Sequence, residues 1–186
     1  LNLTIIRHTS VKVSAGTCYG RSDVELSGTY DSERRIIIEN MNGISYDFIY
    51  TSPLSRCYKL AADISGDHEV TCDSRLSELD FGDWENCLWE DIYKTQNAVK
   101  WFENWTDTPC PNGESFSQMV SRVKDFILEK FSEHKNDDLL IVTHSGVIRI
   151  ILFLLQNLNI DEIFKIQPDF GEIIQISFNP DNLSLV

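Results

Sequence analysis

The chain is poor in the features that usually announce a class. It has five cysteines, Cys18, Cys57, Cys72, Cys87 and Cys110, and no two form a C-x-x-C pair, so neither a disulfide framework nor a zinc knuckle is indicated. Scattered thiols of this kind fit a reducing cytosol, where they serve as small buried hydrophobes. Only four histidines are present. None stands in H-x-H or H-x-x-x-H spacing, which argues against a metal centre. G-x-S-x-G is missing, which removes the usual serine-hydrolase elbow. Basic residues are scarce: 16 Lys and Arg face 29 Asp and Glu, a formal net charge of -13. Nucleic acids and anionic membranes both need a basic face, so neither is expected as a partner. The longest apolar run, Ile150 to Leu155, is far short of the ~20 residues that span a bilayer. No charged-then-apolar leader opens the chain, and a cytoplasmic protein is expected.

What is present reads as one domain over residues 1–186, long enough to bury its own core without a staple. No internal repeat, linker or low-complexity tract divides it. Leu3 to Ile6, Asp47 to Thr51, Glu69 to Cys72, Leu139 to Val142 and Ile173 to Phe178 are short, largely β-branched or apolar runs of strand length. Residues 9–28 read as a long loop and Thr29 to Met41 as a helix. Ser52-Pro53 predicts the next helix start, with Ser52 as N-cap, running to about Ser65. Cys87 to Trp105 predicts one helix rich in Trp and Tyr. Ser115 and Gln118 have capping-box spacing, and Phe116, Met119, Val120, Val123, Ile127 and Phe131 recur at helical steps. Gly146 to Leu155 predicts a mostly apolar helix. Strands alternating with helices, and strands without polar breaks, indicate α/β architecture: three layers, α/β/α, around a mainly parallel sheet.

In open α/β sheets, ligands bind beyond the carboxyl ends of the strands. Arg7-His8-Thr9 comes after the first strand, Ser52-Pro53-Leu54-Ser55-Arg56 after the second, and His144-Ser145-Gly146 after the run at 139–142. The loop 75–86 after the third strand offers Glu78, Asp80, Asp83 and Glu85. Two histidines, two arginines and a carboxylate without a metal motif point to phosphoryl transfer through a histidine nucleophile. A neutral imidazole nitrogen attacks phosphorus readily at neutral pH. Arginine gives planar paired donors for the equatorial oxygens, and a carboxylic acid serves the leaving alkoxide and then water. His68 and His134 fall in polar, turn-like segments and are expected in solvent.

Ile6-Arg7-His8-Thr9, Thr51-Ser52-Pro53-Leu54-Ser55-Arg56, Leu76 to Glu85, Gly113-Glu114-Ser115 and Thr143-His144-Ser145-Gly146-Val147-Ile148-Arg149, in that order, resemble the histidine phosphatase superfamily, the phosphoglycerate mutase-like branch. The resemblance implies that His8 accepts the phosphoryl group, that Arg7, Arg56 and His144 bind it, the last as an imidazolium, and that Glu78 is the general acid and base. It implies no cofactor or metal and a small-molecule phosphomonoester as partner. Thr9 and Ser145 stand where the family usually has glycine, as does Asn86 after Trp84-Glu85. These departures bear on loop geometry, since glycine takes backbone shapes that threonine does not. Within the superfamily, Thr17 to Val24, Ser52 to Cys57 and Phe170-Gly171-Glu172 look most like α-ribazole phosphatases. That likeness adds Arg21 and Ser145 as candidate substrate contacts, and Tyr19, Trp84 and Trp89 as rings that could stack on a base. A phosphoglycerate mutase-like transferase, a broad sugar or nucleotide phosphatase and a non-catalytic phosphate-binding module are the alternatives.

Overall fold

The computed structural model describes residues 2–177, so Phe178 of the expected last strand lies outside the described residues. In chain order come β1 (Asn2–Arg7), α1 (Tyr30–Asn40), β2 (Phe48–Thr51), α2 (Ser55–Ile64), β3 (Val70–Cys72), α3 (Trp89–Ile92), α4 (Gln96–Glu103), α5 (Phe116–Glu133), β4 (Leu139–Thr143), α6 (Ser145–Gln156) and β5 (Ile173–Ser177). The strands form a five-stranded sheet in the order β3-β2-β4-β1-β5. All pairings are parallel except that of β5, which runs antiparallel along β1 at the edge.

Alternate side chains of each strand enter opposite faces, the period-2 rule of a pleated strand. Leu3, Ile5, Tyr50, Leu139 and Ile141 pack under α5 and α6 with Met119, Val123, Phe126 and Ile127. Ile6, Ile49, Leu140 and Val142 meet Ile37 of α1 and Cys57, Leu60 and Ala61 of α2 on the other face. Every residue of β4 is buried, as its unbroken apolar sequence requires of a strand covered on both sides. Each large apolar side chain so buried contributes about 1.5–3 kcal/mol. This is the expected three-layer arrangement.

Two expected helices are corrected. The second helix begins at Ser55, three residues after Ser52, because Leu54 is extended (φ -65°, ψ 136°) and becomes the N-cap; the bond that Ser52 Oγ accepts from Leu54 N at 3.3 Å closes only a turn. The expected helix over 87–105 is two short helices. Thr95 Oγ1 accepts from Ala98 N at 3.2 Å and starts α4 afresh, a cap that interrupts the run. By contrast the capping box before α5 has both halves: Gln118 N donates to Ser115 Oγ at 3.2 Å and Ser115 N to Gln118 Oε1 at 2.8 Å. The five cysteines are free, with Cys18, Cys57 and Cys110 buried. Among the described residues no helix is long and apolar enough to cross a membrane.

Candidate active site

β1, β2 and β4 end side by side, with Arg7 in register with Thr143 and Thr51 with Val142. The residues just past these ends therefore emerge together. His8 and His144, each one step past its strand, bring their ring centroids to 5.1 Å, edge to face. They line a cavity of about 380 Å³ whose wall includes Arg7, Arg56, Glu78 and Arg149.

His8 is buried and its Nδ1 lies 2.7 Å from the Thr9 carbonyl oxygen. A carbonyl only accepts, so Nδ1 carries the proton and Nε2 keeps its lone pair. Burial first, then the Arg56 and Arg7 charges, hold the imidazole down to about 3 despite the bond to Thr9. The ring is therefore a neutral base at ordinary pH.

His144 is the N-cap residue of α6. Its Nε2 lies 2.8 Å from Ser52 Oγ, the same hydroxyl that accepts from Leu54 N at 3.3 Å. Its full burial, with His8, Arg56, Arg122 and Arg7 nearby, pushes its pKa well below the ordinary histidine value. In the ligand-free site desolvation and like charges both oppose a proton on His144, so the expected imidazolium requires the charge of a bound phosphoryl group to offset them.

Arg56, in the first turn of α2, is fully buried. It donates from Nη1 to Ser22 O at 2.8 Å and from Nη2 to Gly20 O at 2.6 Å. Arg7 donates from Nη1 to Pro168 O at 2.7 Å and lies 3.8 Å above the Phe170 ring centroid. Both guanidinium groups thus rest on carbonyls and rings rather than on carboxylates in these contacts, and both keep a buried Nε without a protein acceptor. A buried donor left unmet costs about 1–3 kcal/mol. The chemistry that answers two such cations is an anion.

Glu78 faces them from the loop after β3. Its Oε1 accepts from Leu79 N and its Oε2 from Gly146 N, each at 3.0 Å. Gly146 is needed for this approach: a Cβ there would stand 2.2 Å from Glu78 Oε1.

Arg21 and Ser145 are not on the cavity wall. Arg21 pairs outside it with Asp80 Oδ2 at 3.5 Å and Glu114 Oε1 at 3.4 Å, so the structure does not bring it to the histidines. Ser145 is the first residue of α6, beside His144. Thr9 and Ser145 both avoid positive φ, whereas Asn86 has φ 64°. Of the three departures from glycine, only Asn86 occupies the left-handed region, which asparagine tolerates better than most residues. His68 is exposed as expected. His134 is not: its ring lies 4.1 Å from that of Phe48, its Nε2 2.7 Å from the Tyr50 hydroxyl and its Nδ1 3.1 Å from Asp137 Oδ2, partners that its polar stretch of sequence does not announce.

The rest of the wall is mostly aromatic, with Leu79, Met119, Gly146 and Ile163 among the rings. Tyr19 and Trp89 line it, while Trp84 is buried against Trp101, at 5.8 Å edge to face. Phe81, Trp89 and Tyr93 form one series of touching rings, and Phe116, Trp105 and Phe164 another. Reading the sequence missed most of these rings and Arg149, although Arg149 ends the run from Thr143 and stands one helical turn beyond Ser145. Among the described residues no group of three or more His, Cys, Asp or Glu side chains could hold a metal ion.

A family model described as histidine phosphatase superfamily (branch 1) matches residues 3–186. The chain is 25% identical over 178 residues to the adenosylcobalamin/alpha-ribazole phosphatase of Escherichia coli, covering 92% of this chain and 87% of that one. It is 25% identical over 170 residues to phosphoserine phosphatase 1 of Hydrogenobacter thermophilus, covering 89% and 81%. The crystal structure of the alpha-ribazole phosphatase from Shigella flexneri superposes with a TM-score of 0.88 at 25% identity, covering 96% of this chain and 91% of that one.

Proposed function

The chain belongs to the histidine phosphatase superfamily, branch 1, and from that premise we propose that it is a phosphomonoesterase working through a phosphohistidine on His8. The observation that carries this reading is the state of His8. It is a buried, neutral imidazole with Nδ1 tied to a carbonyl, beside two arginines whose buried Nε groups lack acceptors.

In the first step Nε2 attacks phosphorus in line. The N–P bond forms as the ester P–O bond breaks, and Glu78 gives its proton to the departing oxygen. In the second step water attacks the phosphohistidine, Glu78 takes its proton, the N–P bond breaks and inorganic phosphate leaves. Arg7 and Arg56 hold the equatorial oxygens, where donors fixed in advance stabilise developing charge most effectively. His144 joins them as an N–H donor.

For the substrate, α-ribazole 5′-phosphate is the favoured reading. A cavity walled by two series of aromatic rings suits a flat aromatic base. The likeness to the Escherichia coli and Shigella flexneri proteins supports it.

Two measurements test these statements. Hydrolysis of p-nitrophenyl phosphate in EDTA should proceed in the wild type and vanish in His8→Ala; equal rates in both would remove the nucleophile. Across α-ribazole 5′-phosphate, phosphoserine and 3-phosphoglycerate, the first should show the highest kcat/KM. A preference for either acid, or isomer exchange of phosphoglycerate without phosphate release, would replace the substrate assignment.

A further inference from the structure

Glu78 has no helix or strand of its own to hold it. Its loop is instead gripped from α5 on one side and from the turn before α5 on the other. Arg122 donates from Nη1 to Arg75 O and Ser77 O, both at 2.7 Å, and from Nη2 to Glu78 O at 3.0 Å. Its remaining bonds go to Glu114: Nη2 to Oε1 at 2.6 Å and Nε to Oε2 at 3.1 Å. Glu114 in turn grips the chain just past Glu78. Asp80 N donates to Glu114 Oε1 at 3.1 Å, and Glu114 N donates to Asp80 O at 2.9 Å.

We propose that the Arg122–Glu114 pair is the positioning device for the general acid: it fixes the backbone on both sides of Glu78 so that the carboxyl meets the leaving oxygen. The pair does not line the cavity, so it acts through Glu78 and not on substrate. Three features favour this over a role in stability alone. All three carbonyls that Arg122 holds belong to the four residues ending at Glu78. The pair is bidentate and mostly buried, at 15% and 13% side-chain exposure, the geometry in which an arginine–carboxylate contact is rigid. The Glu78 carboxyl itself is tied to the start of α6 through Gly146 N, so a shift of its backbone must pull it from that seat.

The inference rests on the proposed phosphohistidine mechanism, and the leaving group separates the two. p-Nitrophenolate departs without a proton, whereas an alkoxide needs one. kcat/KM reports only the steps through P–O cleavage, so the later attack of water does not enter. The experiment compares p-nitrophenyl phosphate with β-glycerol phosphate in the wild type, Glu78→Gln, Arg122→Ala, Arg122→Lys and Glu114→Gln. Should Arg122→Ala not fold, Arg122→Lys and Glu114→Gln carry the test, each checked for an unchanged circular dichroism spectrum.

General acid catalysis contributes about 100-fold or more. The expected result is a loss of that order on β-glycerol phosphate in the Arg122 and Glu114 variants, and of less than about 5-fold on p-nitrophenyl phosphate, as in Glu78→Gln. Adding Glu78→Gln to a folded Arg122 variant should lower the alkyl-ester rate little further. Equal losses on both esters, or full additivity with Glu78→Gln, would overturn the positioning role while leaving the phosphatase reading intact. Activity surviving in His8→Ala would instead overturn the mechanism beneath it.

Discussion

Replacing Glu85, which does not itself line the cavity, with Gln should loosen the proposed phosphate site. Glu85 Oε2 accepts from Gly20 N at 2.9 Å and Ser22 N at 3.0 Å, and Oε1 from Arg21 N at 2.8 Å and Phe81 N at 3.1 Å. The same short loop turns its carbonyls the other way, and Gly20 O and Ser22 O hold the Arg56 guanidinium. One carboxylate thus orients the peptides that orient the arginine. Glutamine keeps one oxygen and turns an NH2 toward donors, so two of the four bonds are lost. Bonds to a charged group contribute about 1.5–3 kcal/mol each, and water reaching a partly exposed site recovers some of that, leaving a loss of about 2–4 kcal/mol. Urea unfolding should show a lower midpoint at unchanged slope. The inhibition constant of inorganic phosphate should rise about 10-fold, equivalent to ~1.4 kcal/mol. The pH dependence has a definite sign. Burial pulls the Glu85 carboxyl up, but the bonds from Ser22, Gly20 and Arg21 outweigh it and hold the group below 4.5. Its stabilisation is therefore whole above that value and is lost as pH falls through the lower, folded-state value. The gap between wild type and Glu85→Gln should narrow in acid. An unchanged phosphate constant, or a gap that widens as pH falls, refutes the reasoning.

Acid should also act through the histidines. His8 and His144 are buried neutral, so the unfolded chain binds protons near 6.5 that the folded chain refuses, in the case of His8 until about 3. Their contribution to stability is whole above the ordinary value and declines below it by roughly 1.4 kcal/mol per pH unit for each ring. His8→Gln should flatten that slope in urea titrations, and an unaltered slope would refute the assignment. Gly146→Ala should force the Glu78 carboxyl from its seat, since the new methyl would stand 2.2 Å from Oε1. kcat/KM on an alkyl phosphate should fall about 100-fold with little change in the urea midpoint, and a rate near wild type would show the seat to be dispensable. Trp89→Ala should raise KM for α-ribazole 5′-phosphate about 10-fold, the loss of a ring contact and its burial, while phosphate inhibition stays constant. A parallel rise in the phosphate constant would place Trp89 at the wrong end of the cavity.

How much of this could be read from the sequence depends on the range of each interaction. The strands were legible because burial on both faces leaves an unbroken apolar run, as in Leu139 to Val142. The α5 cap was legible because both of its partners lie within four residues. Arg7, His8, Arg56 and His144 could be grouped because parallel strands in register deliver their trailing residues to one place. The start of α2 was misread because Leu54 is extended, so the local bond from Leu54 N to Ser52 Oγ closes a turn and not a helix, a difference that capping residue types do not show. The downward pull on the His144 pKa could not be read for a related reason: desolvation depends on what surrounds the ring in space. Arg122 looked like one polar residue on an amphipathic helix, and its five bonds all reach segments outside that helix. The aromatic wall is assembled from positions as far apart as Phe81 and Phe164, and no local spacing announces it.

The net charge of -13 can now be set against where the carboxylates sit. Several near the site are not a bare repulsive shell. Glu85 is occupied by four backbone N–H groups and Glu114 is neutralised by Arg122. Those charges fold loops around the cavity, and their local partners cancel much of their field. The remaining excess lies on exposed positions such as Glu39, Asp67 and Glu69. An approaching phosphate dianion therefore meets long-range repulsion first and the attraction of Arg7, Arg56 and Arg149 only at the cavity. Salt at about 0.1 M screens charges beyond ~10 Å and leaves buried contacts nearly intact. Raising potassium chloride from low to physiological strength should consequently increase kcat/KM for a phosphomonoester. A decrease would mean that the cavity's arginines project their field well into solvent, and that the carboxylates around them are more fully neutralised than their exposed positions imply.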